Sequence, residues 1–286
     1  PILAVTTDVS VSSRGKFTLT EIDQEALFRP LAKWNRVIDR AADIPKMLRA
    51  AFTHMATGRP GAAHLGLPFD VQKDAVDESD VWADPKLGRF PARRVGPDPD
   101  AVAEAAALLL AAKAPLFICG GGVVISGAEG ELKVLAEALG APVATTISGQ
   151  GSISEMDRLS VGVVGSNGGT PFTRAIVERA DTVIFIGCRA GSVTTERWRH
   201  PAPGKAKIVH IDIDPAVIGT NYKTDAGIVG DARLVLAALG RAVIAGKPDL
   251  ARRTLTAADV AAAQADVVAA DRAPLPVISA SAASID

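Results

Sequence analysis

The stretch Lys207-Ile208-Val209-His210-Ile211-Asp212-Ile213-Asp214-Pro215 decides the fold. Its first five residues read as a buried strand, and the run ends in a carboxylate. Ligands of open α/β sheets lie beyond the carboxyl ends of the strands, so Asp212 is placed to accept hydrogen bonds from a ribose or a ring, with Ile213 beside it. Three more apolar runs end in residues suited to a close ligand. Leu116-Phe117-Ile118-Cys119 meets Gly120-Gly121-Gly122, Val143-Ala144 meets Thr145-Thr146, and Thr182-Val183-Ile184-Phe185-Ile186 meets Gly187-Cys188-Arg189.

Working outward, residues 98–240 alternate helices and strands. Asp98-Pro99 is an N-cap followed by proline at the first helical position. Leu132, Leu135, Ala136 and Leu139 line a helix that Gly140 ends, and Thr170-Pro171 opens another that ends near Ala180. Strands are expected at 115–119, 142–145, 182–187, 207–212 and 227–229. Asp231 caps a last helix through Leu239. Alternation of this density predicts an α/β fold: a doubly wound, Rossmann-like parallel sheet covered on both faces.

Upstream, residues 1–77 form an incomplete second α/β unit. Strands are expected at about 2–6, 34–38 and 62–67. A short helix is expected over 22–28, and a longer one capped by Asp43 and ended by Gly58. Residues 78–97 carry Pro85, Pro91 and Pro97 without periodicity and read as a linker. Residues 98–246 are the central domain. Residues 247–286 read as a C-terminal linker and tail with a helix at 256–271. Pro1 opens directly on a core-like strand without a methionine, so the chain is expected to be cut from something longer.

Composition narrows the function classes. With 286 residues and 48% hydrophobic content there is ample material for a core. A formal net charge of -1 gives no electrostatic case for a nucleic-acid partner. The apolar runs are far shorter than the ~20 residues of a membrane span, and no signal segment opens the chain. The two cysteines, Cys119 and Cys188, are expected as reduced, buried thiols of a cytoplasmic protein. Nothing has the spacing of a zinc site.

The candidate motifs each carry two readings. Gly120-Gly121-Gly122 either lets a backbone approach a phosphate or adenine ring, or is a flexible turn. Gly165-Ser166-Asn167-Gly168-Gly169 before Thr170-Pro171 offers amides to an anion, or is a tight turn capped by Thr170. Arg189 suits a pyrophosphate or a stacked ring, or pairs with a surface carboxylate. Asp212 and Asp214 form either an acid/base pair or a nucleotide contact followed by a turn. Lys33, beside Trp34, presents an ammonium to an anionic substrate or is solvated. His54, His64, His200 and His210 are assigned no chemistry.

Taken in order, these motifs resemble the thiamine diphosphate-dependent enzymes, closest to the acetolactate synthase-like group. The resemblance runs over about residues 1–240. It rests on Glu21-Ile22-Asp23-Gln24, Phe28-Arg29-Pro30, Lys33-Trp34, Gly58-Arg59-Pro60-Gly61, Leu67-Pro68 and Asp70-Val71. It continues through Gly120-Gly121-Gly122, Pro142-Val143-Ala144-Thr145-Thr146, Gly187 with Arg189, the His210 to Asp214 run and Gly230-Asp231. It implies that residues 1–77 are the C-terminal half of a pyrimidine-binding domain and that the central domain binds FAD, ADP or nothing. Gly120, Gly121, Gly122, Thr146, Ile147, Gly165, Gly187, Arg189, Asp212, Ile213 and Asp231 become the candidate cofactor contacts. Asp8 and Lys33 lie on the substrate side. The parent would decarboxylate a 2-keto acid and release or transfer the acyl unit, using thiamine diphosphate and Mg²⁺, as a homodimer or homotetramer.

Two features of that family have no counterpart here. The glutamate that protonates the aminopyrimidine falls upstream of the match, and the GDG…N diphosphate motif is missing. The chain is therefore expected to be catalytically incomplete alone, with no catalytic residue of its own. Asp8 stands where the acetolactate synthases carry glutamine, and the run Ala190-Gly191-Ser192-Val193 after Arg189 lacks the acidic pair with which that family contacts FAD. The alternative reading is a non-catalytic module that binds FAD, ADP or coenzyme A, or that dimerises.

Overall fold

In the computed structural model, residues 1–262 and 265 are described. The N-terminal part runs β1 (Leu3–Asp8), α1 (Gln24–Phe28), β2 (Trp34–Val37), α2 (Ile44–Ala56) and β3 (Ala63–Pro68). The strands form a three-stranded sheet in the order β1-β3-β2, with both pairings parallel. β3 is the central strand, and its side chains alternate between two faces. Ala63 and Leu65 join Ala51 and Met55 of α2 in one core, while His64 points to the opposite face and meets Phe28 of α1. Asp43 does not cap α2 as expected: its carboxylate accepts from Arg40 Nε at 2.9 Å instead.

The second part runs α3 (Pro99–Ala111), β4 (Pro115–Cys119), α4 (Gly121–Ser126), α5 (Glu129–Leu139), β5 (Val143–Thr145), β6 (Ser160–Val163), α6 (Pro171–Arg179), β7 (Thr182–Ile186), β8 (Lys207–Asp212), β9 (Ala226–Val229) and α7 (Ala232–Ala245). Its six strands are all parallel and lie in the order β6-β5-β4-β7-β8-β9. Counted from β4, this is the 3-2-1-4-5-6 order of a dinucleotide-binding sheet. Alternate residues feed two cores. Phe117, Ile184 and Ile211 pack with α3, α5 and α7; Leu116, Phe185 and Ile208 pack with α6. The fold is doubly wound α/β. Cys119 belongs to the first core and Cys188 to the second, and both are free thiols on opposite faces.

Several boundaries differ from expectation. β6 was not foreseen, because Ser160-Val161-Gly162-Val163 is short and its register with β5 shifts. α4 begins inside the glycine run rather than after it. α7 continues to Ala245, because Val243 extends its buried face. The segment after 246 is packed rather than a free tail: Leu255 and Val260 are fully buried in the second core. Arg253 also donates to the carbonyls of Ala112 and Leu139 at the ends of α3 and α5. The helix expected over 256–271 is seen at 257–262, and most of the remainder lies outside the described residues.

Residues 78–97 also pack. Leu87 and Ala92 are buried against Ala56, and Ala92 N donates to Ala56 O at 2.9 Å. The segment ends at a part-buried polar knot. Arg94 Nη1 lies 2.7 and 2.8 Å from the two carboxylate oxygens of Asp231, and it also donates to Ser126 O and Oγ.

Candidate functional site

Between β4 and β7 the chain reverses its winding: β5 and β6 lie to one side, β8 and β9 to the other. The helices diverge from the sheet there, leaving a crevice at the carboxyl ends of the strands. A cavity of about 590 Å³ occupies that place, within the range of small-molecule sites.

Its floor is bare backbone. Gly120 N donates to Ile186 O at 2.8 Å and Gly122 N to Gly187 O at 3.2 Å, so the end of β4 lies on the end of β7. A Cβ on Gly120 would collide with the Gly187 carbonyl oxygen, and one on Gly122 would sit 2.6 Å from the Gly187 Cα. Gly187 itself has a φ of +55°. The glycines are thus required by backbone interlock, and with no side chains between they leave peptide groups facing the cavity.

The rim supplies the charge. Arg189 follows β7 on an exposed turn, and its guanidinium makes no hydrogen bond or ion pair among the described residues. Its carbonyl accepts from Asn221 Nδ2 at 2.9 Å, which fixes the backbone beneath that free cation. Asp212 ends β8 and is buried, and burial raises its carboxyl above the usual carboxylate range. Its Oδ1 accepts from Asp214 N at 2.9 Å. Asp214 turns away from an acid/base pairing: its carboxylate accepts from Ala216 N and stands 4.0 Å from Arg59. His210 is part of the sheet, with Nε2 2.8 Å from Cys188 O, and burial holds it toward the neutral form.

The cavity brings together Gly120, Gly121, Gly122, Thr146, Gly187, Arg189, Asp212, Ile213 and Asp231. Ile147 and Gly165 fall outside its lining. Ile147 is partly exposed on the turn after β5. Gly165 stands behind the wall: Ser166 N donates to Val193 O at 2.8 Å, and a Cβ on Gly165 would collide with that oxygen. Val193 and Thr194 are the residues that face inward. Asp231 lines the cavity, but its oxygens are taken by Arg94, by Ser126 Oγ at 2.9 Å and by Leu234 N at 3.3 Å.

Asp8 and Lys33 are not brought together. Asp8 ends β1, whereas Lys33 precedes β2 in the same parallel sheet and so sits at the opposite edge. The Lys33 ammonium donates to Thr57 O at 2.7 Å and Arg59 O at 2.8 Å, because it lies where those carbonyls converge. Asp8 borders a second concavity of about 490 Å³ with Arg14, Glu21, Glu25 and Asp39, and its carboxylate lies 3.4 Å from Arg14.

Sequence reasoning missed one wall of the crevice. Gly58, Arg59 and Pro60, with Phe90, Pro91 and Arg93, reach it from outside the six-stranded sheet. In the sequence, Gly58-Arg59-Pro60-Gly61 stands only as part of the family resemblance, with Gly58 as a helix end, and neither reading brings it to the crevice.

A six-stranded sheet of this order with its crevice at the switch point defines a nucleotide-fold domain. Residues 102–239 match the family model described as the thiamine pyrophosphate enzyme, central domain, and the chain belongs to the thiamine pyrophosphate-dependent enzymes. It is similar to acetolactate synthases. It is 42% identical over 247 residues to the probable acetolactate synthase large subunit of Methanocaldococcus jannaschii, covering 86% of this chain and 41% of that protein. To the large subunit of Corynebacterium glutamicum it is 37% identical over 251 residues, 87% of this chain and 39% of that protein. To that of Mycobacterium tuberculosis it is 35% identical over 241 residues, 84% and 38% respectively. The chain thus spans about two fifths of the length of these relatives.

Proposed function

We propose that this chain is the nucleotide-holding part of an acetolactate synthase-like enzyme, and that its crevice takes the ADP portion of a nucleotide cofactor, ADP itself or FAD. The observation that carries the reading is the free Arg189 guanidinium beside a floor of bare peptide groups, with Asp212 across the same cavity. Arg189 supplies a planar cation for a pyrophosphate. Asp212 accepts from a ribose hydroxyl or a ring amine. Gly120, Gly121 and Gly122 admit the ligand to backbone distance. Domain boundaries near residues 77, 97 and 246 accompany this reading, with the last blurred by Leu255 and Val260.

The whole enzyme, on this proposal, decarboxylates a 2-keto acid with thiamine diphosphate and Mg²⁺, working in the cytoplasm as a homodimer or homotetramer. Bound thiamine diphosphate would supply the carbanion-stabilising chemistry. The residues present do not form its site. Among the described residues no group of three or more His, Cys, Asp or Glu could hold a metal ion. Lys33 and Arg14 are both occupied by neighbours. No step is therefore assigned to this chain, whose part is to hold the nucleotide. Among the described residues no helix is long and apolar enough to cross a membrane.

Calorimetric titration of the chain with ADP, FAD and coenzyme A tests the site. One-to-one binding of ADP or FAD, weakened at least tenfold in Arg189→Ala, is the expected result. No heat with any of the three would end the proposal. Release of CO₂ from a panel of 2-keto acids by the enzyme carrying this segment tests the wider reading.

A further inference from the structure

His64 is the second residue of β3 and is fully buried. Phe28 of α1 stacks on its ring, with centroids 3.7 Å apart and planes 4° from parallel. Its Nε2 is 2.8 Å from Thr6 Oγ1, and Thr6 Oγ1 also meets Gln24 Oε1 of α1. The Gln24 amide is oriented by its other end, where Nε2 donates to Thr7 O at 2.7 Å. These contacts fix every proton in the chain of bonds. Gln24 Oε1 can only accept, so the single Thr6 hydroxyl proton goes to it. Thr6 must then accept from His64, which places the imidazole proton on Nε2. His64 Nδ1 is left bare, buried and without a partner.

A second proton would have to enter at that bare Nδ1. From α1 the one ionised neighbour is Glu25, and its Oε1 already accepts from Val37 N at 2.9 Å. From β1 the facing residue is Thr6. From β2 it is Asn35, a neutral amide paired in register with His64, whose Nδ2 donates to Glu25 O. α2 packs on the other face of the sheet, so His54 does not reach it. Desolvation accordingly lowers the His64 pKa from its ordinary 6.5, against the weaker pull of Glu25.

We propose that neutral His64 is a clasp holding α1 on the three-stranded sheet, and that its protonation releases α1. With α1 goes the wall of the second concavity, which Gln24 and Glu25 provide. The sign follows from linkage. The closed form binds the proton less readily than the open form, so closure is fully stable above the ordinary histidine value. It weakens as pH falls from there toward the lowered one, and the opening constant rises about tenfold per pH unit in that window.

Hydrogen exchange on the intact chain between pH 8 and pH 5, corrected for the intrinsic rate, tests the proposal. Amides of residues 24–32 should lose protection about tenfold per unit below pH 6.5 while those of β4 and β7 keep theirs. In His64→Gln the profile should be flat. If that variant does not fold, imidazole ¹⁵N shifts of the parent chain give the answer alone. They should show Nε2–H at pH 8 and titrate in step with the exchange. Protection of α1 that is independent of pH would overturn the proposal. So would a proton found on Nδ1 at pH 8, or a loss that persists unchanged in His64→Gln.

Discussion

Asp231→Ala should cost the chain about 3 kcal/mol while leaving the crevice able to bind. The magnitude comes from two parts. Asp231 is the N-cap of α7, accepting from Leu234 N, and loss of a capping carboxylate costs about 1 kcal/mol. The same side chain, only 6% exposed, is the counter-ion of Arg94. Removing one partner of a buried pair costs ~3–5 kcal/mol. Arg94 is 30% exposed and keeps its bonds to Ser126 O and Oγ, which brings this part down to about 2 kcal/mol. Urea denaturation followed by far-ultraviolet circular dichroism measures the sum. Asp231→Asn should lose less than Asp231→Ala, because the amide oxygen still caps. A double-mutant cycle with Arg94→Ala should show coupling of about 1–2 kcal/mol. A variant within about 0.5 kcal/mol of the parent would refute the reasoning, since that is the range of an ordinary surface substitution. A variant of unchanged stability whose nucleotide affinity collapses would refute it from the other side, by making Asp231 a ligand contact.

The other expectations are briefer. Arg189→Ala should leave the urea midpoint unchanged, because the guanidinium has no hydrogen-bond or ion-pair partner to lose among the described residues, while nucleotide binding weakens and its salt dependence flattens in calorimetry. Asp212→Asn should stabilise the free protein at pH 7–8. Burial holds this carboxyl above its usual range, so its ionised form is a cost in the folded state that vanishes as pH falls; the gain should fade toward pH 4, and nucleotide affinity should drop throughout. Arg253→Ala should lower stability by about 2 kcal/mol, because two helix-end carbonyls lose their donor at once, an effect readable in the same denaturation.

The strands ending at Cys119, Ile186 and Asp212 were legible because each is a short apolar run buried on both faces, the signature of a parallel sheet. Their shared edge followed from the parallel direction that strand-helix alternation imposes. β6 was not legible: it is four residues long, and Gly162 at a φ of +94° reads as a loop. α4 was hidden because glycine has low helix propensity, and here backbone contact with Gly187 selects it instead. Arg59 and Arg93 could not be placed, since their approach to the crevice depends on how the first unit packs through Ala56, Leu87 and Ala92. Lys33 shows the converse case. The sequence left it open between a substrate cation and a solvated side chain, and neither reading contained the two converging carbonyls it donates to. Gly165 and Asp231 stand among the candidate cofactor contacts, and in the structure one braces a wall and the other caps a helix.

The glycine interlock at the meeting of β4 and β7 divides the crevice into a base of backbone and a rim of side chains. No side chain can be introduced at Gly120, Gly122 or Gly187 without forcing the strand ends apart, so the base of the cavity offers the same peptide groups whatever sequence surrounds it. On the proposed nucleotide-holding role, preference among ligands is set in the overhanging segments, 189–194 and 212–217 from the sheet and 58–60 and 90–93 from outside it. Transplanting those short segments between relatives should exchange their ligand selectivity while the scaffold beneath stays untouched.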